Sequence, residues 1–553
     1  MTDITLPGER QVGHLTLLRQ ERKIGMAEFN ALSKSEQLNI IHQHQGKKKY
    51  DLILNSGHAE ELVPQLHPQE VYLTVNDLGA DDSSELLALA SPEQINLLLD
   101  LDCWDNDRLS PVLSLHWLQL LLGTGEEKVS QLVVNIEPEI LALFLKKHLV
   151  IRRGIEAYDD DDAENAYRLE SLYDIDYHSE DAAKTIGALL NIWMGKEQES
   201  YLLIMEMIRS EQLTTLEEEM FQSRNNRLLD LGILPTSEAR ELYTHVDPAN
   251  FTPGGKSDYR IEAEEQNNPA AILTLAEPDN LLADILAGGV SQEQAIELLM
   301  LANRKLSADN VDLSSAQQLG EAIQSVYDTL NLALEYLTAN DIQKAEQIFA
   351  TTYLLRLFQL GHSLIQERLT RAKSLAKSPL YSLLDYQEFL FIDSLLQSPP
   401  ALYFYGDEDC PGSLEPIKTL KDLELLDMRL AQISALLDQF THNFSELLPQ
   451  QDGLEDEIAN EELPTLAQLF ITAVANQLLG LGFSANPLLP EDLAQLKSSS
   501  FENGQLSPEF AAGFAQSFPA LNEDCRFFID FCLALWEDSL LEPQACAFLL
   551  VED

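Results

Sequence analysis

The chain is 553 residues long and 45% hydrophobic, which excludes wholesale disorder and predicts about three or four compact units at roughly 150 residues each. It carries 91 acidic residues against 36 basic ones, a formal net charge of −55 at pH 7. Such a charge repels nucleic-acid phosphates and anionic membrane surfaces, so binding of either through a general basic face is excluded.

The first stretch, "MTDITLPGERQVGHLTLLRQ", holds no charged leader followed by an apolar run, and no uncharged apolar run of about 18 residues occurs elsewhere. A soluble cytoplasmic protein without membrane insertion is expected. The five cysteines, Cys103, Cys410, Cys525, Cys532 and Cys546, are odd in number and widely spread, which is no disulfide framework. Residues 1–49 make a mildly basic arm, in which Arg10, Arg19, Arg22, Lys23, Lys34, Lys47, Lys48 and Lys49 stand against five acids. The arm is expected to fold back on the acidic body or to meet an acidic partner.

Residues 50–155 repeat one phrase. In "HAEELVPQLHPQEVYLTVNDLG" two short apolar runs of helical spacing meet at Pro68, the usual first-turn position. "DDSSELLALASPEQINLLLDLD" repeats the layout with Ser91 as N-cap and Pro92 at the first helical position. "RLSPVLSLHWLQLLLG" and "EEKVSQLVVNIEPEILALFLKKHL" carry looser copies around Pro111 and Pro138. Short paired helices at a period near 23 residues cannot bury their apolar faces alone, so a superhelix of stacked helical hairpins is predicted.

These repeats resemble the helical N domain of MgtE-type magnesium transporters and the related helices of the flagellar switch protein FliG. The resemblance implies a helical fold for this stretch but not transport, because no membrane helices accompany it. A second likeness spans more of the chain. The order of "LLALASPEQINLLLDLDCWDNDRLSP", "NNRLLDLGILPTSEARELYTHVDP", "FIDSLLQSPPALYFY" and "TLAQLFITAVANQLLGLGF" is similar to a bacterial family known only as a domain of unknown function. It implies a multi-part helical architecture and brings no chemistry.

Residues 156–246 complete the first half. Tyr167, Leu169, Tyr173, Ile175 and Tyr177 alternate with polar residues, predicting a small β hairpin near 166–177 behind an acidic loop. Helices follow, with Thr215 and Glu218 at capping-box spacing. Residues 247–270, rich in Pro, Gly, Asn and charge, are expected to be a linker to a second all-α domain over 271–553. There, "AQQLGEAIQSVYDTLNLALEYL" and "DIQKAEQIFATTYLLRLFQLGHSLIQERLTRAKSLA" read as two long neighbouring helices. The fold class is therefore mainly α.

Several residues invite chemistry. Asp159, Asp161 and Glu170 fall at three ligand positions of a calcium loop, but Ala163 and Glu164 stand where a ligand and a glycine belong. A solvated loop is the better reading, with at most loose magnesium or calcium binding, and no other cofactor is expected. His42 and His44 sit beside Lys47 to Lys49, whose charge opposes a cation, so surface histidines are expected. Cys525 and Cys532 share a helix face about 10 Å apart and read as buried apolar thiols. Acids around Cys410 disfavour its thiolate. Tyr403, Phe404 and Tyr405, beside Asp407, Glu408 and Asp409, read as an aromatic loop that packs its rings onto the body, with recognition of a cationic or peptide partner as the alternative.

No phosphate-binding glycine loop, nucleophile elbow, zinc-protease helix or dinucleotide fingerprint occurs. The leading expectation is a cytoplasmic, non-enzymatic helical scaffold or adaptor that binds another protein through the superhelical surface of its stacked N-terminal hairpins. A divalent-cation-responsive regulator is the alternative, and an enzyme of unfamiliar design the third.

Overall fold

The structure, a computed structural model, describes residues 4–5, 23–153, 173–256, 270–404, 412–449, 463–502, 504–518, 521, 525–542 and 546–551. It is mainly α-helical with small antiparallel two-stranded hairpins. Two compact units divide at Leu360, one covering residues 1–360 and the other 361–553.

The repeated phrase in the first unit forms helices for the reasons its residues suggest. Pro68–Leu78 opens on proline, with the His67 ring accepting from the Gln69 N–H, and stops at Gly79, whose φ of 92° ends the helical path. Pro92–Asp102 opens on a reciprocal Ser91–Gln94 capping box. The Gln94 amide also donates to the carbonyls of Val63 and Leu66, both at 2.8 Å, so the cap of one helix fastens the turn before the previous one. Gly46–Leu54 packs on Pro68–Leu78, which packs on Pro92–Asp102. Their apolar faces share one core with Trp117, Phe144 and Trp193.

The basic arm is partly core. Met26–Asn30, Lys34–His42 and Gly46–Leu54 are helices, and Phe29, Ile41 and Ile53 are fully buried, so a boundary near residue 50 falls inside a helix. The hairpin also differs from expectation. Asp174–Tyr177 is a strand, but its partner is Leu149–Arg153, pairing Leu149 with Tyr177 and Ile151 with Ile175. Leu149 and Ile151 are buried while Val150 is exposed, a strand alternation that the sequence reading absorbed into the preceding repeat. Tyr167 and Leu169 lie outside the described residues.

The expected linker at 247–270 does not separate two cores. Leu73, from the first repeat, belongs to the same apolar cluster as Ile272, Leu298 and Leu330. Gln69 and Asn303, both buried, exchange amide hydrogen bonds of 2.9 and 3.0 Å. The described part of that stretch is tied down: the Gly254 N–H donates to the Thr352 hydroxyl and the Lys256 N–H to the Thr351 carbonyl. The same ties break the second long helix into Ile342–Thr351 and Leu354–Leu375. Glu297 accepts the Leu354 N–H at 2.7 Å, satisfying a donor the break would otherwise orphan.

The second unit is built from Tyr386–Leu396, Leu420–His442, Leu466–Leu478 and Arg526–Leu541, with shorter pieces between. Its interior is aromatic: Phe470 lies 4.9 Å from Phe518 and 5.5 Å from Phe528, centroid to centroid, at the steep angles that ring quadrupoles favour. Ala401–Phe404 pairs with Ser413–Pro416, so this unit is mainly rather than wholly helical.

Candidate functional site

Only some of the residues singled out in the sequence fall among the described ones. Asp159, Asp161 and Glu170 lie outside the described residues, as do Tyr405, Asp407, Glu408, Asp409 and Cys410. Tyr403 and Phe404 sit in a strand, not an irregular loop, opposite Leu414 and Ser413. The Tyr403 ring packs so closely on Gly412 that a Cβ there would clash with its hydroxyl. His42 and His44 act separately, His42 on Glu70 and His44 on the Ile40 carbonyl of its own helix. Among the described residues no group of three or more His, Cys, Asp or Glu is placed to hold a metal ion. No described helix is long and apolar enough to cross a membrane.

Buried polar groups gather around two residues expected at the surface: the His42 side chain is only 14% exposed, and Lys49 is buried. In the first unit Glu70, 3% exposed, accepts from Lys49 Nζ at 2.6 Å and faces His42 Nδ1 at 3.1 Å. Burial alone would raise this carboxyl, but the Lys49 charge and the His42 and Lys49 hydrogen bonds outweigh it and hold it at about 2. Burial drives the neighbouring His67 down to about 4, against the pull of Glu70. The cavity beside Lys49, Glu70 and Asp77 is about 20 Å³, room for roughly one water. This cluster is an internal ion network joining Lys34–His42, Gly46–Leu54 and Pro68–Leu78.

A second network has the same character. Arg227 binds Asp100 through Nε at 2.7 Å and Nη2 at 2.8 Å, and Glu137 through Nη1 at 2.9 Å. The two-pronged geometry fastens the helix Leu213–Asp230 to the end of Pro92–Asp102 and the start of Pro138–Lys146. A larger cavity in this unit, about 480 Å³, is lined by Leu273, Leu286, Val290, Leu298 and Tyr327 among others, and among the described residues by no charged side chain. The Tyr327 hydroxyl is spent on the Leu273 carbonyl at 3.1 Å.

The second unit holds a different arrangement on the Tyr386–Leu396 helix. Asp385 immediately precedes the helix, and Glu388 lies in its first turn; both are buried. Burial pushes Asp385 up to about 6, although the Thr465 hydroxyl and the Ala467 N–H partly offset it. Burial and then the Asp385 charge push Glu388 up to about 7. Burial also lifts the Cys532 thiol, with Asp385 and Glu388 adding to it, so Cys532 is protonated and its surroundings are less apolar than expected. One turn outward the same helix exposes rings: Tyr386 is 72% exposed and Phe389 36%. Phe389 leans on Tyr381 with centroids 5.1 Å apart and planes at 32°.

Both clusters have a faint sequence signal. Glu388 shares the stripe of Phe391, Ile392 and Leu395, and Lys49 that of Leu52 and Ile53, so each charge interrupts a core face at helical spacing. A charge on such a stripe is either paired or neutral, and only the structure says which.

No curated protein and no solved structure matches the chain, and the expected likeness to the MgtE N domain and FliG is not shown. Residues 26–547, nearly all of the chain, match the family model described as DUF6178, a family of unknown function, and to that family the chain belongs.

Proposed function

We propose that the protein is a scaffold that binds another protein, with a contact surface on the outer face of Tyr386–Leu396. The observation that carries this reading is the pair of solvent-facing rings, Tyr386 at 72% and Phe389 at 36% exposure, on a helix whose opposite face is core. Aromatic side chains concentrate binding energy at protein interfaces because each buries a large rigid area at little entropic cost. The polar groups described above add support, since Glu70, Asp100 and Asn303 serve as ties between helices.

The test places a photo-crosslinking amino acid at position 386 of the full chain in host cells, with position 180, an exposed acid in the other unit, as control. A discrete protein adduct at 386 and none at 180 is expected. Absence of an adduct at 386, or identical adducts at both positions, overturns the reading.

A further inference from the structure

Resting on that reading, the same surface also says what chemistry the partner must bring. Tyr386, Phe389 and Asp393 are spaced three and four residues apart, hence on one face of Tyr386–Leu396. Asp393 is partly exposed, its charge acts on Tyr381, and it accepts a hydrogen bond from Gln397 at 3.3 Å. The patch therefore combines ring faces, which carry negative quadrupole charge, with a carboxylate at its edge. At a net charge of −55, another acidic chain or an anionic lipid surface is repelled long before contact, while a basic segment is drawn in.

We propose that the rings of Tyr381, Tyr386 and Phe389, edged by Asp393, seat an arginine- or lysine-bearing segment of a protein partner. The cation lies over an exposed ring while the carboxylate receives its N–H groups. A second copy of this chain fits poorly, because the two copies repel.

The experiment uses the full chain and two labelled peptides of equal length, one of alternating Arg and Gly and one of alternating Glu and Gly, followed by anisotropy at physiological salt. The Arg peptide is expected to bind and the Glu peptide not. The double variant Tyr386→Ala with Phe389→Ala should weaken binding about tenfold. Asp393→Asn should weaken it severalfold, and Tyr386→Arg, which only changes an exposed position, should abolish it. Glu180→Gln in the other unit should leave it unchanged. Failure of the Arg peptide to bind, equal binding of the Glu peptide, unchanged affinity in the double variant, or an equal loss in Glu180→Gln each overturns the proposal. A crosslinked partner at position 386 without Arg-peptide binding leaves the scaffold reading standing and removes only this inference.

Discussion

Glu70 and Glu388 are both deep inside their own units, 3% and 9% exposed, yet their carboxyls are shifted in opposite directions. Glu70 has a lysine and a histidine on its oxygens and stays ionised, held at about 2. Burial and then the Asp385 charge raise Glu388, with Arg429 only a minor offset, so it is pushed to about 7. Burial is common to both, and what decides protonation is whether a cation accompanies the carboxylate.

The largest effect comes from removing that cation. Lys49→Met leaves the Glu70 charge buried with only the His42 contact, and breaking a buried pair from one side costs about 3–5 kcal/mol. Denaturant unfolding of the full chain should show that loss in the transition of the first unit. Adding Glu70→Gln should recover most of it, because the uncompensated charge, not the missing bond, sets the cost. An equal loss in the single and double variants would make Lys49 important for packing rather than for charge.

The comparison also predicts opposite responses to pH. The Glu70 carboxyl sits below its ordinary value of 4.5, so its contribution is present above that value and is lost as pH falls from 4.5 toward about 2. Glu388 sits above 4.5 and Asp385 above 3.8, so no penalty exists in acid; the second unit loses stability as pH rises from those ordinary values to about 7 and about 6 respectively, and the loss is complete above them. For Glu388 alone the shift corresponds to roughly 3 kcal/mol once it is fully ionised. Hydrogen exchange along Tyr386–Leu396 should show the helix loosening beyond the intrinsic rate rise between about pH 4 and pH 7, and no further loosening above that. Glu388→Gln should flatten that dependence, and a slope unchanged by the substitution would assign the effect elsewhere.

An uncharged tie should matter less. Asn303→Leu leaves the Gln69 amide and the Leu231 carbonyl without their partner inside the first unit, a loss of about 1–3 kcal/mol in urea unfolding. Combining it with Gln69→Leu should return part of the loss, since two apolar side chains of similar size need no partner. A double variant as unstable as the sum of the singles would show that the pair acts by shape alone.

These sites mark where the sequence was legible. Caps and first-turn prolines are local, so Ser91, Pro68 and Pro92 could be placed from spacing, and the mainly helical class followed from them; Thr215 and Glu218 failed as a capping box, because Leu213–Asp230 starts earlier, at Gln212, and takes both inside. The partner of Asp174–Tyr177 was misread because Leu149–Arg153 continues directly from a helix and its alternation is short. The break at Thr352 was invisible, since nothing in "FATTYLLR" forbids a helix; Gly254 and Glu297, far away in sequence, supply the hydrogen bonds that stabilise it. Lys49 and Glu70 were missed for a related reason: each reads as an ordinary surface charge until the other is known to be 2.6 Å away.

The smallest effect tests the local end of that scale. The Ser91 hydroxyl accepts the Gln94 N–H at 3.2 Å, and Ser91→Ala removes that acceptor at a helix start, worth about 1 kcal/mol. The loss should stay near that figure because the Gln94 side chain keeps its bonds to Val63 and Leu66, which hold the helix entry in place from the neighbouring turn. Thermal unfolding of the first unit should therefore shift slightly, with exchange rising only in the first turn of Pro92–Asp102. A shift as large as that of Asn303→Leu would mean that the cap is needed to orient Gln94, and that tertiary and local signals at this position are one device rather than two.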